Sequence, residues 1–403
     1  MDTIGRDYLT LALSLDRHFS GFVDAYFGPA EIKDRVEAGE PRPLDALADD
    51  AQRLLEAIEA SDCDAQRHDY LVRQTRAMAA VISNLTGDRL EFVREVELYF
   101  DITPEMVDES VFEAAHAELE NLLPGSGPLV ERLEAQRDRM ALAPDRILPV
   151  FDLARKETRR RTLALFELPP GEEISLELVR DQPWGAYNWY LGGYQSRIEV
   201  NTDLPIRAQS ALPLMAHEAY PGHHTEHAIK EYRLYQGQGR GEHAVQLLLA
   251  PECVISEGIG DNALWMVFDD AELVDFLQDE LLPLAGLPDV DAGEQVRLLR
   301  AAQRLRAVSG NAALLLHRDN LPAGEVQHYA EHYGLRTPQE ASQTMKFLQN
   351  PLFRAYIFNY AQGQALLAPL LQGLDGAANF RRLLEEPLTP TQVRQWRQQR
   401  EDG

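Results

Sequence analysis

Apolar residues recur at helical spacing through the first 165 residues of the chain. In segment 44–58, leucine and isoleucine return every three or four positions between acidic residues, which is the pattern of an amphipathic helix. Segments 91–99 and 111–123 repeat this pattern. The second of them ends at Pro124-Gly-Ser-Gly-Pro128, a sequence that terminates helices. The pattern predicts a succession of helices without an internal repeat.

The periodicity changes near residue 170. Segment 174–180 alternates apolar with polar residues, and segment 187–201 is rich in aromatic residues around a central pair of glycines. Both patterns predict strands of a small antiparallel sheet. Helical spacing then returns from about residue 208 to the end.

These patterns predict a mainly α fold with a small antiparallel β-sheet. The change near residue 170 suggests an N-terminal helical region over residues 1–170 and a second region over residues 171–403. The two regions could also be lobes of one continuous domain, since a chain of this length can bury a single large core or two smaller ones.

Charge and composition narrow the expected partners. The net charge is −26, from 39 basic and 65 acidic residues, and such a field repels phosphate backbones and anionic lipids. No apolar run approaches the roughly 20 residues that span a bilayer. The charged start of the sequence differs from a secretion signal, and two cysteines do not suggest a disulfide framework. We therefore expect a cytoplasmic protein that binds neither nucleic acid nor membrane; the sequence does not indicate its oligomeric state.

Four of the eleven histidines lie within eleven residues: His217, His223, His224 and His227. The sequence around the first of them begins like the zinc-peptidase helix His-Glu-x-x-His, in which two histidines four positions apart bind the metal and the glutamate is the general base. Here position 221 is proline. A different histidine must therefore take the second ligand position.

Helix geometry limits the candidates. On an unbroken helix, His223 would lie about 120° around from His217 and His224 about 10 Å further along the axis, so neither could share a zinc ion with His217 at Zn–N distances of about 2.1 Å. Pro221-Gly222 predicts a break that brings His223 to the vacant ligand position. His224 is the alternative second ligand, and His227 could pair with His223 four residues earlier. Without a metal, these would be histidines at a helix end.

Glu257 is the candidate third ligand. It follows His223 by 34 residues, in an apolar segment where a carboxylate is costly unless a partner compensates it. Asp261 lies four residues further on, on the same face of a helix. In metal sites, such an aspartate orients a ligand histidine while the glutamate binds zinc.

The motif His217-Glu218-x-x-Pro221-Gly222-His223 resembles the signature of the "domain of unknown function 885" proteins, which belong with the zincin metallopeptidases. The resemblance covers roughly residues 180–370 and includes Glu199-Val-Asn-Thr202 and Ser256-Glu257-Gly258. It implies a large helical zincin-like fold of the gluzincin type, with the small sheet beside the metal-binding helix. Glu226, where glutamine is common, and Ile259, where tryptophan is common, depart from the family pattern.

The resemblance also extends to segments 311–317 and 353–364, which contain His317, Arg354, Tyr356 and Tyr360. Amide hydrolysis develops an oxyanion that tyrosine, arginine or protonated histidine can stabilise, and these four residues are candidates for that role, although each could instead be a core or surface residue. The strand around Ile198–Thr202 precedes the metal helix, as the substrate-binding edge strand does in zincins. An extended peptide could pair with such an edge.

The predicted activity is hydrolysis of short peptides by a water that Zn²⁺ activates, with His217, His223 and Glu257 as ligands and Glu218 as general base. Two alternatives remain open at this stage. One is a metal-dependent hydrolase of a non-peptide amide or ester, and the other is a non-catalytic binding protein with a structural metal. Glu218 favours catalysis, because it binds no metal in this scheme and a structural site would not need it.

Overall fold

Helices dominate the structure, a computed structural model that describes residues 1–182, 184–203, 205–351 and 353–401. The helices that precede the main sheet are α1 (Thr3–Asp16), α2 (Ala30–Ala38), α3 (Leu44–Glu59), α4 (Ala65–Thr86), α5 (Phe92–Phe100), α6 (Glu109–Leu122), α7 (Leu129–Arg139) and α8 (Pro144–Leu165). The helices predicted over 44–58, 91–99 and 111–123 are confirmed as α3, α5 and α6. The fold is mainly α, as predicted.

The strands are β1 (Val23–Tyr26), β2 (Glu173–Val179), β3 (Ala186–Gly192), β4 (Gln195–Asn201) and β5 (Val245–Leu247). The later helices are α9 (Ala211–Glu218), α10 (His223–Lys230), α11 (Glu252–Val267), α12 (Asp270–Phe276), α13 (Leu282–Ala285), α14 (Ala292–Arg304), α15 (Val308–His317), α16 (Ala323–Gly334), α17 (Pro338–Gln349), α18 (Phe358–Leu367), α19 (Gly376–Glu385) and α20 (Pro390–Glu401). None of these described helices has the length and apolar character that crossing a membrane requires.

The main sheet has the strand order β2-β4-β3, so β4 is its central strand. β3 and β4 form an antiparallel hairpin in which Tyr187 is opposite Glu199. Gly193 and Tyr194 at the turn both have positive φ, 61° and 62°, as a two-residue hairpin loop of the primed type requires. β2 pairs in parallel with the other side of β4. The predicted segment 187–201 is therefore two strands joined by a turn.

A second sheet joins β1 to β5 in antiparallel fashion. The sequence pattern predicted neither strand, because runs of four and three residues are too short to show a period of two. Their pairing connects residues near the start of the chain to the segment between α10 and α11. It also brings β1 to the cleft described below.

The largest apolar core contains residues from both sides of position 170. Tyr8 and Phe100 from the early helices belong to it, together with Ile255 of α11 and Phe380 of α19, and all four are buried. A second core lies between α8, the main sheet, α9 and α11. α11, the helix that carries Glu257, therefore contributes to both cores. Packing on two sides holds this helix in place.

α11 and α18 pack closely through facing glycines. A Cβ atom on Gly258 would lie 2.6 Å from the carbonyl oxygen of Gly363, and one on Gly363 would lie 2.5 Å from the carbonyl oxygen of Val254. Both distances are too short for a side chain, so the pair sets how near the helices approach. The approach places Tyr356, just before α18, and Tyr360, in the first turn of α18, beside the middle of α11.

Candidate metal centre

A break at Pro221-Gly222 separates α9 from α10. α9 ends at Glu218, α10 begins at His223, and the Tyr220–Pro221 peptide bond is cis. The backbone between the helices turns back over the last turn of α9, where the Gly222 N–H donates to the carbonyl oxygen of Ala216 at 2.9 Å. The ring centroids of His217 and His223 lie 4.6 Å apart as a result. The predicted break is present at the predicted position.

Two glycines make room for this arrangement. A Cβ atom on Gly222 would lie 1.9 Å from the carbonyl oxygen of His217, so no side chain fits there. A Cβ atom on Gly260 of α11 would lie 2.7 Å from Nδ1 of His217. The sequence analysis did not identify Gly260. Its signal was present, however, because glycines inside a helix are unfavourable unless another group approaches closely.

His217, His223 and Glu257 each offer a ligand atom, and these three atoms lie within 4.8 Å of one another. Glu257 Oε2 lies 3.3 Å from His217 Nε2, is buried, and accepts no hydrogen bond from any described residue. A buried oxygen without a partner is costly, and a cation between the three side chains would compensate it. Two imidazoles and one carboxylate also match the ligand set of catalytic zinc sites. The residues therefore fit a zinc ion.

Asp261 holds the ring of His217 in place. Its Oδ1 lies 3.1 Å from His217 Nδ1 and also accepts a hydrogen bond from Arg306 Nη1 at 2.8 Å. Nδ1 of His217 therefore faces Asp261, and Nε2 faces Glu257. This is the orienting position that the sequence predicted for Asp261, and Arg306 is an additional partner that it did not identify.

Ser256 fixes the tautomer of His223. The Ser256 O–H donates to Glu226 Oε2 at 2.6 Å, and Glu226 is paired with Lys230. Because the only hydroxyl proton is used there, the contact of 3.1 Å between Ser256 Oγ and His223 Nδ1 requires Nδ1 to carry hydrogen. Nε2 of His223 then has a free lone pair for a metal. The sequence analysis named Ser256 only as part of the segment that resembles the zincin family, and gave it no role of its own.

The charges at the centre stabilise one another. Burial acts to lower the pKa of His217, but the neighbouring carboxylates of Asp261 and Glu257 outweigh it and hold that pKa well above its usual value. Burial acts to raise the pKa of Glu257, but His217 and His223 hold it below its usual value. Glu257 is therefore an anion, the form that binds a metal.

Tyr356 and Tyr360 lie at this centre. The Tyr356 O–H donates to Glu257 Oε1 at 2.8 Å, so one carboxylate oxygen is held while the other is left without a hydrogen bond. The rings of Tyr356 and Tyr360 are 5.7 Å apart. Burial raises the pKa of both hydroxyls well above the usual range. Both groups therefore stay protonated and can donate hydrogen bonds.

His317 and Arg354 are not brought to the centre, contrary to the prediction. Nε2 of His317 lies 2.6 Å from the carbonyl oxygen of Leu348, and Arg354 Nη2 donates to Glu95 Oε2 at 2.6 Å. Both side chains pack against the ring of Phe92. α15 and the segment before α18 direct them towards α5, where they support the packing of the early helices.

His224, the alternative second ligand, points away from the metal centre into a buried group that we call the Glu172 cluster (Arg159, Glu172, Ser196, Tyr220 and His224). Nε2 of His224 lies 3.0 Å from Glu172 Oε2, and Nδ1 lies 2.8 Å from Ser196 Oγ. Glu172 also accepts from the Tyr220 hydroxyl and from Arg159. Burial lowers the pKa of His224, so the ring is neutral and both nitrogens are occupied.

His227 stacks on His223, with ring centroids 5.8 Å apart and an interplanar angle of 12°. It is not part of the group of candidate ligands found among the described residues. Burial lowers the pKa of His227 to about 3, so the ring is neutral at physiological pH. The alternative pair of His223 with His227 is therefore not assembled around a common point with Glu257.

The metal centre opens into a cleft of about 1190 Å³. Its walls include Glu218, both candidate histidine ligands, Tyr360 and Arg306. One side of the cleft is aromatic, because Trp184, Tyr187 and Trp189 line it. Glu218 therefore lies at the same opening as the candidate ligands, and its side chain is partly exposed to the cleft.

The prediction that the strand before the metal helix is an edge strand is wrong. The strand around Ile198–Thr202 is β4, and both of its sides are occupied by β2 and β3, so a peptide cannot pair with it. The edge of the main sheet at the cleft is β3, which carries Tyr187 and Trp189. The error arose because sequence order does not reveal that the β3–β4 hairpin places the later strand inside the sheet.

Two solved structures are similar to this chain. A protein described as "the putative lipoprotein from Colwellia psychrerythraea" has a TM-score of 0.55 at 14% identity, over 87% of this chain and 66% of that one. A second, described as a putative lipoprotein of unknown function from Shewanella oneidensis, has a TM-score of 0.48 at 12% identity, over 91% and 75% of the two chains. No protein-family model and no curated protein matches the sequence. The chain spans 66% of the length of the Colwellia protein, and the likeness shows a shared mainly helical fold.

Proposed function

We propose that this protein is a zinc-dependent hydrolase of the zincin type that cleaves short peptides. The observation that carries the proposal is the convergence of His217, His223 and Glu257 within 4.8 Å, with one buried Glu257 oxygen that has no hydrogen-bond donor among the described residues. The resemblance of the His-Glu-x-x-Pro-Gly-His motif to a zincin family supports the same reading.

Bound zinc would supply Lewis-acid chemistry, which polarises a carbonyl oxygen and makes water a stronger nucleophile. Glu218 follows His217 directly and lines the cleft. In the proposed reaction its carboxylate takes a proton from the attacking water and delivers it to the nitrogen of the leaving amine. One water is consumed, and the products are a carboxylate and an amine.

Tyr356 and Tyr360 have different supporting roles in the proposed reaction. Tyr356 donates to Glu257 Oε1 at 2.8 Å and holds that ligand in position. Tyr360 lines the cleft and keeps its proton, because burial raises the pKa of its hydroxyl. We assign Tyr360 as the donor that stabilises the oxyanion formed when water attacks the peptide carbonyl.

The shape of the cleft supports a peptide as substrate. Its volume of about 1190 Å³ accommodates a few residues and excludes a folded protein. β3 is an edge strand along one wall, and backbone pairing with such an edge binds an extended peptide. A peptide paired with β3 would pass between the aromatic side chains of that strand and the metal centre.

The test combines metal content with turnover. We expect about one zinc per chain by mass spectrometry of the purified protein, and cleavage of members of a short-peptide library. Glu218→Gln keeps the shape of the side chain and removes its basic oxygen. The variant should keep zinc and lose turnover by about 10²–10⁴-fold.

Two outcomes contradict the proposal. A Glu218→Gln variant that matches the parent in turnover would show that Glu218 is not the base. A zinc-loaded parent that cleaves no peptide would remove the peptidase assignment. Turnover of amides or esters alone would then favour a non-peptide hydrolase, and no turnover of any substrate would favour a structural metal.

A further inference from the structure

Among the described carboxylates that line the cleft, three are paired with a basic side chain and one accepts hydrogen bonds at both oxygens. Glu226 is paired with Lys230, Asp261 with Arg306, and Glu257 with His217. Glu252 accepts from the Tyr70 hydroxyl and the Leu247 N–H. These carboxylates are therefore accounted for by the protein itself.

Asp24 and Glu218 are different, because neither has an ion-pair partner within 4.0 Å among the described lysines, arginines and histidines, and neither accepts hydrogen bonds at both oxygens from described residues. Glu218 has the role of general base in the proposed reaction. Asp24 has no role in it. Among the described residues, Asp24 accepts a hydrogen bond at Oδ1 from the Tyr187 hydroxyl, which satisfies part of the carboxylate and leaves its charge unbalanced.

Asp24 lines the same cleft as the candidate metal centre. It lies on β1, lines the cleft and is only partly exposed. Tyr187, its hydrogen-bond donor, precedes Asn188, whose Nδ2 donates to the backbone oxygen of Glu218 at 2.6 Å. Two consecutive residues of β3 therefore connect Asp24 with the residue that follows the first candidate ligand.

The charges around Asp24 favour the approach of a cation. Burial raises the pKa of Asp24, and the negative charges of Glu218 and Glu257 raise it further. The Tyr187 hydrogen bond and His223 act in the opposite direction without cancelling these effects. A partly buried carboxylate among other anions is unfavourable unless a cation approaches it, and Asp24 lines the cleft from which a cation can approach.

We propose that Asp24 binds an ammonium group of the substrate and so makes this enzyme selective for peptides with a free amino group next to the cleaved bond. The inference rests on the proposed peptidase function. A charge-assisted hydrogen bond from –NH₃⁺ supplies both the donor and the positive charge that Asp24 lacks. The neighbouring aromatic rings of Trp184 and Tyr187, 5.1 Å apart, favour a cation over an anion at this wall.

Two sources could supply the ammonium group, the α-amino group and a lysine side chain of the peptide. The experiment separates them with three substrates: a tripeptide with a free amino terminus, its N-acetylated form, and an N-acetylated form whose first residue is lysine. kcat/KM of the zinc-loaded full chain is measured on each. Selectivity for an α-amino group predicts cleavage of the first alone, and recognition of either source predicts cleavage of the first and third.

Asp24→Asn keeps the size of the side chain and removes its charge. We expect kcat/KM on the preferred ammonium substrate to fall by about 30-fold or more, mainly through KM, as when one partner of a charged hydrogen-bonded pair is lost. The ratio between ammonium and acetylated substrates should fall towards one. Tyr187→Phe should reduce the same ratio by a smaller factor, because it only releases Asp24 from its hydrogen bond.

Asp34→Asn on the exposed surface of α2 is the matched control and should keep the parent ratio. Equal cleavage of all three substrates by the parent, or an unchanged ratio in Asp24→Asn with zinc fully bound, would overturn the inference and leave the peptidase function standing. Absence of any cleavage by the zinc-loaded parent would overturn the peptidase function, and the inference with it.

Discussion

The candidate metal centre and the Glu172 cluster are both built around the same short motif and use the same kinds of residue. Each contains a neighbouring histidine of the motif, His223 in one and His224 in the other. Each has a buried glutamate and a serine that contacts the histidine at Nδ1, Ser256 at 3.1 Å and Ser196 at 2.8 Å. Residue types alone therefore do not distinguish the two.

The difference is in how completely their polar atoms are satisfied. Both oxygens of Glu172 accept hydrogen bonds, and both nitrogens of His224 have partners. In the metal centre, Glu257 Oε2 and Asp261 Oδ2 are buried and have no hydrogen-bond partner in the described part of the chain. A closed network stabilises the fold, whereas unsatisfied oxygens indicate a place for a ligand.

The largest expected effect comes from replacing each of the two adjacent histidines separately by alanine. His223→Ala should abolish zinc binding and keep the fold, because the ring faces the metal centre. His224→Ala should keep about one zinc per chain and lower the free energy of unfolding by about 1–3 kcal/mol, because it leaves Glu172 and Ser196 with unsatisfied groups. Metal analysis and urea denaturation measure the two effects. Zinc lost from His224→Ala and retained by His223→Ala would reverse the assignment.

Gly222→Ala tests whether the break positions His223. The new methyl group would lie 1.9 Å from the His217 carbonyl oxygen, so the backbone must move and the second ligand with it. We expect a folded protein by circular dichroism with most of its zinc lost. Gly324→Ala is the control, because nothing lies within 4 Å of a Cβ there. Full zinc binding by Gly222→Ala would show that the ligand position does not depend on this contact.

Asp261→Asn should have an intermediate effect. The substitution keeps the size of the side chain but weakens its hold on His217 Nδ1, 3.1 Å away. Loss of such an orienting carboxylate lowers zinc affinity by about 10–100-fold. Competition with a chelator measures the affinity, and Asp279→Asn at an exposed position should match the parent. An unchanged zinc affinity in Asp261→Asn would show that Asp261 pairs with Arg306 but does not orient His217 for metal binding.

Tyr220→Phe should have the smallest effect and act on stability only. It removes the hydroxyl that donates to Glu172, while His224 and Arg159 still donate to that carboxylate. The free energy of unfolding should fall by about 1 kcal/mol, with zinc content unchanged. A loss of zinc in this variant would show that the Glu172 cluster contributes to the metal centre and is not independent of it.

The sequence was informative where chemistry depends on local spacing. Helical periodicity located α3, α5 and α6, and Pro221-Gly222 predicted the break between α9 and α10. The structure brings together the candidate ligands His217, His223 and Glu257, which the spacing and the burial of a carboxylate had singled out. These inferences hold because helix geometry and turn chemistry act over a few residues.

The errors and omissions come from contacts between distant segments. His317 and Arg354 lie in segments that resemble a zincin family, but helix packing turns them towards α5. β4 precedes the metal helix, yet strand pairing places it in the middle of the sheet. The role of Ser256 follows only from the approach of α10 to α11, and the glycine at position 260 indicates a close contact without showing that its partner is His217.

The sequence by itself determined a mainly helical chain with a broken His-Glu helix and a candidate zinc ligand set, because periodicity, proline and glycine act locally. Only the tertiary structure decided which histidine faces the cleft, which strand forms the edge, and which carboxylates lack a partner. Those properties depend on which polar atoms meet across the packed helices, and a pattern along one chain does not encode such distances directly. Asp24 is the clearest case: in sequence it is one of many aspartates, and in the fold it is a partly buried carboxylate without an ion-pair partner among the described residues, in the same cleft as the candidate metal ligands.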